Sequence, residues 1–409
     1  MINHQPPSEF CWQFHLESLL EETQVSHAAV QPNRKTPLVS KLGLIVNPFA
    51  GMGGRVGLKG TDGQDIQKRC RELGAIPEAP SRAVEALKQL LPLQDQVQII
   101  TYPYEMGEEE ARACGFKPKV IGSIQRADTT AQDTRKAADE LQKEGVNLIL
   151  FAGGDGTARD IYSAIGDRCV VLGIPAGVKM HSAVYAINAR AAGKLAAMYL
   201  QGTVTDAKEA EVMDIDENAF RQGRASAQLY GYLRVPLEET FVQSAKAGRR
   251  DSDDTVVESI AYAIIDEMKP DVLYILGPGT TMRGIKAKIS SENTLLGVDV
   301  ALNKQFVARD ANEKELLKLI KGKPVKIIVT VIGGQGYIFG RGNQQISPQV
   351  IREVGKENII VVATKGKISS LGGKPLLVDT GDSVTDNMLV GYMKVVTGYS
   401  EQTVLKVMA

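Results

Sequence analysis

The chain has 409 residues, 43% hydrophobic and 23% charged, with 48 Lys plus Arg balanced by 48 Asp plus Glu. That length sets two domains as the default, and that composition is ordinary for a soluble globular protein. A formal charge of +0 gives no broad surface for a polyanion, and no apolar span or leader-like segment stands out, so neither nucleic acid nor stable membrane insertion is expected.

Residues 1–40 read as a polar, Pro-rich N-terminal extension in which Phe10 to Leu20 would form a short helix. Leu42 to Val46 is a predicted strand. Asn47-Pro-Phe-Ala-Gly-Met-Gly-Gly-Arg55 then forms a Gly-rich loop, at the carboxyl end where an open parallel sheet binds ligands. The loop continues through Lys59 and Gly63, and Arg55 and Lys59 offer positive charge to phosphates. Helical periodicity follows at Asp62 to Leu73 and Ser81 to Leu91, broken by Pro80. Gln96 to Ile100 and Lys119 to Ile121 are strands, with a short helix at Gly107 to Ala113 between them. Thr129 or Thr130 caps a helix running to Glu144.

Val146 to Phe151 is an apolar strand that ends in Gly153-Gly-Asp-Gly-Thr157. A buried strand delivering glycines to a helix start presents unpaired N–H groups to phosphate oxygens. Asp155 in such a nest repels bare phosphate. It suits a metal or an acceptor hydroxyl, or else caps the next helix, expected at Ala158 to Ile165. Cys169 to Leu172 is the next strand, leading into Gly173-Ile-Pro-Ala-Gly-Val-Lys-Met-His181 and an Ala-rich helix to about Leu200. Lys179 would steady a phosphate. His181 would bond phosphate or ribose, or sit at a helix start with one backbone bond. Strands and helices alternate with short connections, predicting a doubly wound, Rossmann-like α/β domain over 41–200.

The period changes after that. Gly202 to Ile215 and Ser226 to Val235 read as antiparallel strands, and Ala245 to Asp254 as a solvated loop. Val256 to Met268 is a helix. Asp271 to Leu276 is a strand entering Gly277-Pro-Gly-Thr-Thr-Met-Arg-Gly284 and another helix; Thr280 and Thr281 line phosphate or cap that helix, and Arg283 is a further phosphate candidate. Leu295 to Leu302, Val325 to Ile332, Ile359 to Ala363, Leu376 to Val378, Met393 to Thr397 and Thr403 to Val407 are strands. Gly333, Gly334, Gly336, Gly340 and Gly342 mark turns. Residues 201–409 thus read as a mixed, largely β substrate-binding domain.

If the loops at Asn47, Gly153 and Gly173 share one sheet edge, Gly277-Pro-Gly-Thr-Thr281 would face them across a cleft fit for a polyphosphate such as ATP. No Gly-x-Ser-x-Gly elbow is present. Cys11, Cys70, Cys114 and Cys169 are scattered with no CxxC and read as reduced thiols of a cytoplasmic protein. Three of the four histidines (His4, His15, His27) lie in the extension, leaving His181 in the body and no His-rich metal centre. Phosphoryl transfer needs only aligned oxygens, charge neutralisation and a positioned acid or base, with Mg2+ on the phosphates.

Gly153-Gly-Asp-Gly-Thr157 after an apolar strand resembles the signature of the ATP-NAD kinase and diacylglycerol kinase superfamily, and Asn47-Pro-x-Ala-Gly51 its first-strand loop. Gly156-Thr-Ala-Arg-Asp160, Pro175-Ala-Gly-Val-Lys-Met-His181 and Gly277-Pro-Gly-Thr-Thr281 are similar to the AcoX-like branch, and the resemblance covers nearly all of the chain from residue 41. It implies ATP- and Mg2+-dependent phosphoryl transfer between an α/β domain and a largely β domain. Asp155 would be the base; Asn47, Pro48, Gly51, Arg55, Gly153, Gly154, Gly156, Thr157, Gly177, Lys179, His181, Gly277, Gly279, Thr280, Thr281 and Arg283 would line nucleotide or phosphate. NAD is the leading acceptor and a homo-oligomer the expected assembly. Another small alcohol or nucleoside as acceptor, and a nucleotide-binding regulator without turnover, stand as alternatives. The chain departs from NAD kinases in lacking the Asn-Glu pair in the comparable region, and from lipid kinases in carrying Gly177-Val-Lys179 in place of Gly-Asn-Asp.

Overall fold

Parallel strands buried on both faces form the first layer of the computed structural model, which describes residues 39–58, 64–178, 180–215, 227–238, 241–242 and 253–409. The expected helix at Phe10 to Leu20, Lys59, Lys179 and most of the Ala245 to Asp254 loop lie outside the described residues. Strands β1 (Ser40–Val46), β2 (Val97–Thr101), β3 (Lys119–Val120), β4 (Leu148–Gly153) and β5 (Val171–Pro175) form this sheet in the order β3-β2-β1-β4-β5, all parallel. Alternation along the strands divides their side chains between two cores. Leu42, Leu44, Leu148, Leu150 and Leu172 face one side, and Ile45, Ile149, Phe151 and Val171 the other. Each such buried side chain contributes roughly 1.5–3 kcal/mol, so a one-residue slip in register is strongly disfavoured.

The helices of this part are α1 (Gln64–Glu72), α2 (Ala79–Leu87), α3 (Glu108–Ala113), α4 (Ala131–Lys143), α5 (Asp155–Ile165) and α6 (Ala189–Leu200). α2 and α6 cover the first face through Ala83, Ala86, Leu87, Ala192 and Leu195. α4 and α5 cover the second through Ala137, Leu141, Ala158 and Ile161. The predicted doubly wound arrangement is therefore present. Thr130 is the N-cap of α4, in a reciprocal box with Asp133. α5 begins three residues earlier than its apolar periodicity suggested, because Gly154 in extended conformation serves as its N-cap.

Strands β6 (Ala207–Ile215) and β7 (Ala227–Pro236) pair antiparallel, as predicted. Ala210, Val212, Leu233 and Val235 of this hairpin pack into the α4–α5 side of the first sheet.

The remaining elements, in order, are α7 (Asp253–Glu267), β8 (Leu273–Leu276), α8 (Thr280–Ala287), β9 (Asp299–Leu302), β10 (Gln305–Ala308), α9 (Glu313–Ile320), β11 (Val325–Thr330) and β12 (Tyr337–Phe339). They are followed by α10 (Pro348–Val354), β13 (Ile359–Val362), α11 (Lys365–Ser369), β14 (Leu376–Val378), α12 (Ser383–Leu389), β15 (Gly391–Gly398) and β16 (Glu401–Met408). Their strands form a mixed sheet ordered β10-β9-β8-β11-β13-β15-β16-β14-β12, whose β8-β11-β13-β15 centre is parallel. β9 begins at Asp299 instead of Leu295 because the preceding residues fold around a buried ion pair. Lys286 Nζ lies 3.0 Å from Asp299 Oδ2 and donates to the carbonyls of Thr294 and Gly297, while Thr294 donates its N–H and hydroxyl to Asp299.

Candidate active site

In the first sheet the strand order reverses between β1 and β4, and at such a switch point the carboxyl ends of open α/β sheets leave a crevice. Both ends carry a candidate loop. Asn47 follows β1; its Nδ2 donates to Thr157 Oγ1 at 3.0 Å, its Oδ1 accepts from Phe49 N–H, and its own N–H bonds the Ala152 carbonyl. Pro48 is buried in the turn that follows. Gly51 has φ +87°, and a Cβ there would stand 2.5 Å from the Ala176 carbonyl oxygen, so that position needs glycine. Arg55 is exposed, 3.8 Å from Glu78.

The turn after β4 presses against the one after β5. A Cβ on Gly177 would lie 2.8 Å from Gly154 Cα, and one on Gly153 would lie 2.4 Å from Thr157 Oγ1. The Ala176 N–H donates to the Gly153 carbonyl at 3.1 Å. Gly156 is partly exposed in the first turn of α5, beside the helix N–H groups left without partners.

Asp155 is 5% exposed and opens α5 without capping it. Its Oδ2 accepts the His181 N–H at 2.6 Å and faces His181 Nδ1 at 3.3 Å, while Oδ1 accepts the Ser182 N–H at 3.1 Å. His181 is buried and lies between β5 and α6, not at a helix start. The loop that carries it is anchored to the hairpin: Ser182 Oγ donates to the Met213 carbonyl and accepts the Met213 N–H. Tyr185 donates its hydroxyl to the Gly154 carbonyl; burial, with the Asp155 and Asp214 charges, raises that phenol well above its ordinary range.

A second switch point lies between β8 and β11, where Gly277, Pro278 and Gly279 lead into α8. Gly277 N–H donates to the Ile328 carbonyl, Gly279 N–H to that of Leu295, and Gly279, at φ +117°, is the N-cap. Neither threonine caps the helix. Thr280 is exposed, and Thr281 Oγ1 is buried without a hydrogen-bond partner among the described residues, a costly state for a hydroxyl. A Cβ on Gly279 would lie 3.1 Å from Thr330, whose hydroxyl accepts from Lys367 Nζ at 3.1 Å. Arg283 is exposed. Gln335, which reaches the first site, follows Thr330 by five positions in the chain.

The comparisons agree with this layout. Residues 42–204 match the model of the ATP-NAD kinase N-terminal domain and residues 269–407 that of the ATP-NAD kinase C-terminal domain. The chain belongs to the ATP-NAD kinase family. No curated protein matches its sequence significantly. Among solved structures, it is similar to a putative diacylglycerol kinase from Bacillus anthracis str. Sterne, at 16% identity and TM-score 0.23, over 44% of this chain and 47% of that one. The chain thus spans about half the length of that structure. A UDP-N-acetylglucosamine 2-epimerase aligns at 12% identity and TM-score 0.23, over 86% of this chain and 85% of that one. At those TM-scores neither likeness carries weight here.

In this ATP-NAD kinase family chain, the stretch that reaches the first-sheet loops is one the glycine-as-turn reading passed over. From Gly333 to Pro348 every residue except Gln344 is buried, although many are polar. Gln335 Nε2 donates to the Met180 carbonyl at 3.0 Å; Gly342 N–H and Gln344 Nε2 both donate to that of Val178 at 2.8 Å. Behind them Asp379 bonds Arg82 of α2 and, at 2.5 Å, Arg341. Burial alone would raise the Asp379 carboxyl; the two guanidiniums overcome that and hold it below its ordinary value. The crowding of Arg341, Asn343, Gln344 and Gln345 among glycines was a usable signal, since an ordinary turn does not need four long polar side chains.

Proposed function

We propose that this protein transfers the γ-phosphoryl group of ATP to a hydroxyl, with NAD as acceptor and NADP and ADP as products. The observation that carries the reading is the buried Asp155–His181 pair at the β1/β4 switch point, beside the closely packed Gly154 and Gly177 turns. The acceptor hydroxyl would lose its proton to that pair, and the nest and helix terminus would stabilise phosphate charge. Gly277, Gly279, Thr280, Thr281 and Arg283 would hold further phosphate groups at the second switch point, with Lys367 close by.

Among the described residues no three His, Cys, Asp or Glu side chains gather to hold a metal. In this reading Mg2+ would arrive on the ATP phosphates, where it supplies charge neutralisation. No helix of the described residues is long and apolar enough to cross a membrane. We read the enzyme as a cytoplasmic homo-oligomer; the unpaired Cys70, Cys114 and Cys169 support a reducing compartment.

Purified protein with Mg-ATP and NAD should form NADP, followed by enzymatic reduction of the product, and Asp155→Asn should lower the rate by about 10^2–10^4. Tight ATP binding without turnover, over NAD and a panel of nucleosides and small alcohols, would overturn the reading.

A further inference from the structure

We infer that Gln335 is a positioning residue for the proposed phosphoryl transfer, acting on Asp155 through a single peptide unit. This rests on the functional reading above and adds to its site a residue far along the chain. The unit is the one joining Met180 to His181. Its carbonyl accepts from Gln335 Nε2 at 3.0 Å, and its N–H donates to Asp155 Oδ2 at 2.6 Å. A peptide bond is planar and trans, so its C=O and N–H point in opposite directions and turn together. Fixing the carbonyl therefore fixes the line along which the N–H meets the carboxylate. A hydrogen bond accepted at the carbonyl also polarises the unit and strengthens its N–H as a donor. The Ser182 N–H, which holds Asp155 Oδ1 at 3.1 Å, is carried by the very next peptide.

Gln335 is itself held in place. It sits in a turn closed by the Ile332 N–H on the Tyr337 carbonyl, between Gly334 (φ +78°) and Gly336 (φ +85°). The Gly334 N–H donates to Ser370 Oγ at 2.9 Å, and the Gly336 carbonyl accepts the Leu377 N–H at 2.9 Å, so both flanks are pinned. The side chain is buried. Docking of the segment does not need it, because Gly342 N–H and Gln344 Nε2 already share the Val178 carbonyl. What sets the Gln335 bond apart is the carboxylate on the far side of the same peptide.

Gln335→Met keeps the length of the side chain and removes the donor. It should lower kcat about 10–100-fold, the scale of a displacement near 1 Å, with the KM for ATP changed less than about 3-fold. In an Asp155→Ala background the same substitution should change the residual rate less than about 3-fold, because its effect passes through the missing carboxylate. Amide hydrogen exchange at His181 should quicken at least about 10-fold in Gln335→Met without global unfolding, whether or not the protein turns over. Ser370→Ala, an exposed change that releases the Gly334 N–H, should lower kcat about 3–10-fold and serves if the methionine variant does not fold. The assignment falls if the folded variant keeps the wild-type kcat, if the loss persists in full without Asp155, or if His181 exchange is unchanged. Absence of phosphoryl transfer by the wild-type protein to every acceptor, with His181 exchange still responding to Gln335→Met, sinks the functional reading and the catalytic role of Gln335 while the structural link stands.

Discussion

The turns at Gly153 and Gly277 share one local design: a parallel strand, glycines, and a helix start at a point where strand order reverses. What surrounds each differs. The first holds an acid and an imidazole, is pressed by the Asn47 and Gly177 loops, and is backed by the β6–β7 hairpin. The neighbours of the second include Thr330, Lys367 and the Thr281 hydroxyl, which has no hydrogen-bond partner among the described residues. A nest of N–H groups is therefore only a platform. Under the proposed function, a carboxylate–imidazole pair would turn one toward proton chemistry, and a nearby ammonium would suit the other to holding charge.

That contrast can be broken in several places. The largest effect is expected on stability, at the seam that brings residues 335–345 onto the first turn. Asp379→Ala strips the partner from Arg82 and Arg341 and should cost about 3–5 kcal/mol in denaturant unfolding. Because the folded carboxyl is held below its unfolded value near about 3.9, its contribution is present above that pH and is lost as pH falls through the folded pKa. Wild-type stability should therefore fall more steeply than the variant's on acidification below about pH 4. An unchanged midpoint in Asp379→Ala would show that the seam does not need the pair.

Next comes Gly177→Ala, whose methyl would meet Gly154 Cα and displace one turn from the other. Turnover should fall about 100-fold, the loss expected of a misplacement near 1 Å, while the unfolding midpoint moves little. Lys367→Met should raise the KM for nucleotide about 10-fold with kcat retained, since removing uniform binding leaves the chemical step alone; a fall in kcat alone would place catalytic work at the second turn. The smallest effect belongs to Thr281→Val. Loss of an unpaired buried hydroxyl should leave the apo protein as stable or up to about 1 kcal/mol more so, with nucleotide affinity weakened a few-fold by calorimetry. Unchanged affinity would remove Thr281 from the phosphate site.

Much of the first site was legible because its signals are local. Gly153 to Thr157 and Asn47 to Gly51 announce themselves by strand, glycine and polar residue in immediate succession. The role of Asp155 was legible only as a choice among cap, metal ligand and base, because its partners are His181 and Ser182, contacts made only by folding. The 335–345 stretch was missed for the same reason: its carbonyl partners at Val178 and Met180 lie more than 150 positions earlier. The helix α9 had no such excuse. Asn312 and Glu315 form a reciprocal capping box, a purely local sign that went unread.

The anchoring of the His181 loop to the hairpin has a consequence for how the protein is made. The hydrogen-bond partners of Asp155 among the described residues, His181 and Ser182, lie well before Gly333, and so does the strand that braces them. A ribosome working from the N-terminus delivers Asp155 and His181, their sheet and their bracing hairpin well before it reaches Gly333. Domains tend to fold as units in that order. The nascent chain thus presents Asp155, His181 and their brace first and the 333–348 segment last.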